Sequence, residues 1–153
     1  MLLRMLDPVE SLELAHEYGT IDCRHSERLF SRRRHGTDGQ RGGRGPGREA
    51  ETIIRKNFPN SFRDTPLLEH LRDNKITRLV IAGMMTQMCI DSTVRAAADL
   101  GFECSLAHDA CATKSLSFGG MAVPADGVQA AFLAALNGLF AKVQSVDDLC
   151  AGI

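Results

Sequence analysis

The chain has 153 residues, 44% of them apolar, and a formal net charge of −1. That length suits one domain with a modest core, the near-neutral charge argues against a general nucleic-acid binder, and no apolar run is long enough to cross a bilayer. Five cysteines, an odd number at irregular spacing, do not announce a disulfide framework, and Cys23, Cys104, Cys111 and Cys150 form no CxxC pair and have no histidine at zinc-finger spacing. A reducing cytoplasm is the simple setting. The opening run from Met1 to Leu6 is too short for the apolar part of a signal peptide and leads straight into Asp7-Pro8.

Pro8 to Gly19 reads as a helix, with Val9, Leu12 and Ala15 or His16 on one face, Asp7 as N-cap and Gly19 as terminator. Thr20 to Cys23 starts a strand. From Arg24 to Arg48 the composition changes: eight arginines and six glycines surround Leu29 and Phe30. So little apolar surface does not offset the entropy of ordering, which predicts a mobile loop. Two other readings stay open, an arginine-rich arm for RNA or anions and a reading-frame accident in the gene. Resequencing that finds no nearby frame-restoring pair of indels sinks the last.

Thr52-Ile53-Ile54 is a short β-rich run, and Leu67, Leu68 and Leu71 continue at helical spacing to Asn74. Leu79 to Ala82 is an apolar run of the kind that forms a buried parallel strand, broken by Gly83. From Thr86, a candidate N-cap, the pattern turns helical as far as Leu100, with Gly101 closing the helix. Cys89 then sits in the first turn of a helix just past the carboxyl end of a strand, the edge where ligands of open α/β sheets collect. A helix N-terminus favours a thiolate over a thiol; a small buried hydrophobe is the alternative role for such a cysteine. Phe102 to Ala107 reads as the next strand. Ser115 to Gly120 reads as a small-residue loop able to cover the site. Val123-Pro124 opens a helix whose core face is Val128, Ala131, Phe132, Ala135, Leu136 and Leu139, followed by a last strand from Ala141 to Val146 and a short tail.

The segment Gly83-Met-Met-Thr-Gln-Met-Cys-Ile-Asp-Ser-Thr-Val-Arg-Ala-Ala97 closely resembles the nucleophile segment of the isochorismatase-like cysteine hydrolases, a family that includes nicotinamidases, N-carbamoyl amidases and ureidoacrylate hydrolases. The resemblance runs from about Glu51 to Val146. Lys56, followed by Ser61-Phe62 and the Leu67–Leu71 helix, looks like the family's second signature, and His108-Asp109-Ala110 resembles its strand-end Asp-Ala element.

The resemblance implies one domain over residues 1–153, a three-layer α/β/α fold around a mostly parallel, Rossmann-like sheet. It implies Cys89 as nucleophile, Lys56 as the lysine that holds the thiolate, and the backbone N–H groups of Met85 and Cys89 as oxyanion donors. It also implies a cis peptide at Met84–Met85. Phe62, Thr86, His108 and Cys111 are candidate pocket residues, and Asp109 fits a capping or loop-organising role better than a catalytic one. No cofactor follows, and no metal: His108 and Cys111 lack a third and fourth ligand. The family's proton-accepting Asp belongs to an opening apolar-Asp-x-Gln strand that neither Asp7 nor Asp22 matches, so the chain looks truncated at its N-terminus with the first family strand missing. That absence predicts an exposed, aggregation-prone sheet edge and a weak or inactive enzyme. A cysteine at the nucleophile position favours amide-type C–N bonds of a small molecule over isochorismate. Alternatively, the chain is an impaired relative serving as a binding or oligomerisation module. The partners implied are a small-molecule substrate and further copies of the chain, with no nucleic acid and no membrane.

Overall fold

The computed structural model of the protein describes residues 2–5, 13–16, 19–22, 52 and 54–151. The Arg/Gly-rich segment, Asp7 and Cys23 lie outside the described residues. The elements, in order, are β1 (Leu2–Met5), β2 (Glu13–His16), β3 (Gly19–Asp22), α1 (Leu67–Asp73), β4 (Arg78–Met84), a π-helical turn (Thr86–Ile90), α2 (Asp91–Asp99) and β5 (Glu103–Ala112). They continue with β6 (Leu116–Phe118), β7 (Met121–Val123), α3 (Ala125–Leu136), β8 (Lys142–Gln144) and α4 (Val146–Ala151). Among the described residues no helix is long and apolar enough to cross a membrane.

The main sheet has the order β1-β4-β5-β8, with β4, β5 and β8 parallel. Successive side chains of a strand face opposite ways, and β4 shows it. Leu79 and Ile81 enter one core with Leu67 and Leu71 of α1, Ile90, Val94 and Ala97 around α2, Leu106 of β5 and Leu136 of α3. Val80 and Ala82 enter a second core with Ala107, Val146 and Leu149. Helices on both faces of a parallel sheet make the three-layer α/β/α fold. Each fully buried Leu or Ile here contributes roughly 1.5–3 kcal/mol of transfer free energy.

Helix ends follow local chemistry. Gly101, at φ 90°, takes the left-handed position after α2, where its N–H reaches the Ala98 carbonyl at 3.0 Å and Phe102 N–H reaches Ala97 at 3.0 Å. The same pair of bonds closes α1 around Lys75, at φ 55°, through Lys75 N–H to Arg72 and Ile76 N–H to Leu71, both 2.9 Å.

Several expectations are corrected. The stretch read as a helix from Pro8 to Gly19 contains β2, paired antiparallel with β3; the β-branched pair Thr20-Ile21 of β3 is a strand signal, and pairing with it draws Glu13–His16 into a hairpin. The edge of β4 expected to stand open is covered by β1, which runs antiparallel from Leu2 opposite Ala82 to Met5 opposite Leu79. The Ser115–Gly120 loop belongs to a β6–β7 hairpin. In α3 the buried residues are Val128 and Leu136; Ala131 and Ala135 face outward, and Leu139 lies beyond the helix, 79% exposed. The tail is helical, because Ser145 Oγ accepts the Asp148 N–H at 3.0 Å and donates to its carboxylate at 2.7 Å. Cys150 is disulfide-bonded, which irregular cysteine spacing did not announce.

Candidate active site

Strand β4 delivers the chain to the carboxyl edge of the sheet, and three local features then turn it. Gly83 is buried at φ 124°, a conformation that favours glycine. The Met84–Met85 peptide is cis. Met85, extended at φ −96° and ψ 143°, is the N-cap of the turn that carries Cys89; Thr86, read as the cap, is one residue inside it. The Met85 carbonyl accepts from Met88 N–H at 3.0 Å and from Ile90 N–H at 3.3 Å. An α-helix would offer that carbonyl to the Cys89 amide. The π register gives it to the neighbours on either side.

Cys89 is half-buried and a free thiol. Among the described residues its sulfur has no hydrogen-bond partner. Fully buried threonines stand on either side of it along the chain. Thr86 Oγ1 lies 2.7 Å from Gln129 Oε1 and 3.1 Å from the Ala112 carbonyl, and Gln129 Nε2 donates to the carbonyls of His108 at 3.3 Å and Cys111 at 3.4 Å. A single α3 side chain therefore ties the turn that carries Cys89 to the end of β5. Next to Thr86, Gln87 accepts the Thr113 hydroxyl, and its amide reaches Met85 Sδ at 3.6 Å.

On the other side, Thr93 accepts the Ser61 N–H at 3.1 Å, with its own proton facing the Pro59 carbonyl at 3.3 Å and Ser61 Oγ at 3.2 Å. This fastens the loop that bears Lys56 to α2. The Lys56 ammonium donates to the carbonyls of Phe58 at 2.9 Å and Pro59 at 3.0 Å. Arg95, one turn beyond Asp91 on α2, bridges it at 2.9 Å and covers the Phe140 ring at 4.4 Å.

The pocket candidates separate. Cys111 pairs with Gly83 across the sheet. Burial pushes its thiol up to about 12, with the Asp109 carboxylate adding to the rise and a backbone hydrogen bond at Gly83 opposing it. Thr86, with no exposed surface, supports the site from beneath. The Phe62 ring stacks on Phe102 at 6.0 Å and packs against the main core. His108 is exposed, because β5 bulges there: between Ile81↔Leu106 and Gly83↔Cys111, β4 advances two residues and β5 five. Asp109, in the same bulge, accepts the Val146 N–H at 3.0 and 3.2 Å and so caps α4. Among the described residues no three His, Cys, Asp or Glu side chains gather as a metal site. Gln129, Gln87, Thr113 and Thr93 escape sequence reasoning because their work is between segments; the only hint was a polar residue, Thr93, at a buried helix position.

The isochorismatase domain family model matches residues 25–148. The isochorismatase family protein YddQ of Bacillus subtilis is 46% identical over 99 residues, covering 65% of this chain and 55% of that protein. Streptothricin hydrolase of Streptomyces noursei is 40% identical over 63 residues, 41% of this chain and 25% of that enzyme. Among solved structures, the isochorismatase hydrolase of Oleispira antarctica shares 54% identity at a TM-score of 0.66, over 69% of this chain and 56% of that one. An isochorismatase from Pseudomonas putida shares 33% at a TM-score of 0.63, over 70% and 53%. The chain thus spans about half the length of YddQ and of the two solved relatives, and a quarter of streptothricin hydrolase. With a family model covering most of its sequence and a fold shared with solved members over more than two thirds of its length, the chain belongs to the isochorismatase family of hydrolases.

Proposed function

We propose that the chain is a cysteine hydrolase that cleaves an amide-type C–N bond of a small molecule through a covalent Cys89 intermediate. The supporting observation is the π turn: by giving the Met85 carbonyl to Met88 and Ile90, it spares the Cys89 amide an α-helical bond to that carbonyl and suits it to an incoming oxyanion. In the proposed sequence the Cys89 thiolate attacks the carbonyl carbon, forming a C–S bond and placing negative charge on the oxygen. The Cys89 and Met85 N–H groups stabilise that charge. The C–N bond breaks as the leaving nitrogen takes up a proton, and water then hydrolyses the thioester to release the acid and the free thiol. Lys56 favours the thiolate by its charge.

An impaired relative is the second reading. It is favoured by one observation: among the described residues no carboxylate hydrogen-bonds the Cys89 thiol to accept its proton. Two measurements separate the readings. Iodoacetamide labelling across pH, with every cysteine mapped, should find Cys89 the fastest thiol, with an apparent pKa below ~8.5. Single-turnover assays with small amides and esters should then show acylation that Cys89→Ala removes. A Cys89 no more reactive than Cys104, with no acylation, defeats the hydrolase reading.

A cytoplasmic setting belongs to the proposal, since the nucleophile works only as a free thiol and Cys89, Cys104 and Cys111 are free; the bonded Cys150 argues the other way. Association of copies belongs to it too. Phe118 at 89% exposure and Met121 at 71% leave the β6–β7 hairpin apolar toward solvent. Sedimentation should show an oligomer that Phe118→Asp dissociates; a monomeric parent chain refutes association.

A further inference from the structure

We propose that Thr93 is a positioning residue that sets where the Lys56 ammonium stands relative to Cys89. The inference rests on the roles just given to Cys89 and Lys56. Thr93 lies on α2 with no exposed surface, one turn beyond Cys89 on a continuous helical run. A mid-helix Thr has only modest helix propensity, and a buried hydroxyl is costly unless it is bonded. Packing alone would be served by valine, which fills the site without a polar group.

The hydroxyl is fully used. Its oxygen accepts the Ser61 N–H at 3.1 Å, and its proton faces the Pro59 carbonyl at 3.3 Å or Ser61 Oγ at 3.2 Å. The Pro59 carbonyl has a second lone pair, and that one takes the Lys56 ammonium at 3.0 Å. Ammonium, carbonyl, hydroxyl and helix thus form one chain of contacts from Lys56 to the element that carries Cys89. Lysine is a point charge on a flexible stem. Fixing its far end on a carbonyl, that of Pro59, which is itself fixed to α2, turns a mobile charge into a stationary one. Because Thr93 and Cys89 ride on the same run of helix, shifts of that helix carry the lysine's anchor with them.

The test uses the full chain in five forms: parent, Lys56→Met, Thr93→Val, Thr93→Ala and Thr93→Ser, with thermal unfolding recorded beside the pH profile of iodoacetamide labelling at Cys89. Lys56→Met should slow labelling near neutral pH by up to about tenfold, equivalent to one pKa unit. Thr93→Val and Thr93→Ala should reproduce most of that slowing and shift the profile the same way. Thr93→Ser, which keeps the hydroxyl, should restore it. Adding Lys56→Met to Thr93→Val should slow labelling no further than Lys56→Met alone, the non-additivity of two residues on one path. If Thr93→Val and Thr93→Ala lower the melting temperature yet leave the labelling profile at the parent's values while Lys56→Met moves it, Thr93 is only a packing residue and the proposal is overturned. If Lys56→Met itself leaves the profile unmoved, the role of Lys56 falls, and the positioning role with it.

Discussion

Three helices, α1, α2 and α3, cover the side of the sheet that presents Leu79, Ile81 and Leu106, whereas among the described residues the side with Val80, Ala82 and Ala107 is covered by the six residues of α4. The helix that bears Cys89 and the loop that bears Lys56 both belong to the thick side. A reactive thiol needs neighbours that do not drift, and interdigitated cores resist small displacements far better than a single short helix does. The thin side closes with capping groups instead: Asp109 on the Val146 N–H and Ser145 with Asp148. Rigidity is concentrated on the side that carries Cys89 and Lys56.

Cavities should expose the contrast most strongly. Ile81→Ala in the thick core should cost about 3–4 kcal/mol and Leu149→Ala about 2 kcal/mol in urea unfolding, since a site under one short helix relaxes into the space more readily. Equal costs would mean the two sides are equally well packed. Alkaline pH offers a second lever on the thick side, where Cys111 packs. Its thiol is raised from the ordinary 9.0 to about 12, so the folded state holds a proton that the unfolded state releases. That stabilisation is complete below pH 9 and is lost progressively between pH 9 and 12. By pH 10 Cys111's share of the loss should reach about 1.4 kcal/mol, and Cys111→Ala should remove that share, leaving the one contributed by buried Cys104, raised to about 11.

On the thin side, Asp109→Ala removes the cap of α4 and should cost about 1 kcal/mol while leaving Cys89 labelling unchanged. A change in labelling would show that the bulge couples the two sides. The smallest effect is a gain. Lys75 occupies a left-handed position at φ 55°, and Lys75→Gly should raise stability by roughly 0.5–1 kcal/mol by relieving the Cβ clash, visible as a higher urea midpoint.

The elements legible from sequence were those whose signal is local. The Leu79–Ala82 run, the Gly83 break, the helix ending at Gly101 and the opening of α3 after Pro124 each rest on a few adjacent residues, and the strand, turn and helix around Cys89 followed. Asp109 read as a cap proves to be one. What stayed hidden depends on partners far along the chain. Thr86 looks like an N-cap because it begins the helical pattern, yet its hydroxyl turns to Gln129, forty-three residues away. Ala131, Ala135 and Leu139 keep a core-like spacing, but α3 meets the rest of the protein along a narrower face. The bulge in β5 leaves no mark in Phe102–Ala107, since it is set by the register against β4. Glu13 to His16 lacks the alternation of a strand, and pairing with β3 decided it.

Strand polarity works as an address label, and β1 carries an uncommon one for this sheet. Because Leu2 faces Ala82 and Met5 faces Leu79, the polypeptide leaving β1 is handed to the end of the sheet where β4 begins. That is about 20 Å, six residue steps of strand, from the end where Cys89 turns. A parallel strand in the same slot would aim its carboxyl end at the thiol. The direction of four residues, more than their composition, decides which end of the sheet receives what they lead to.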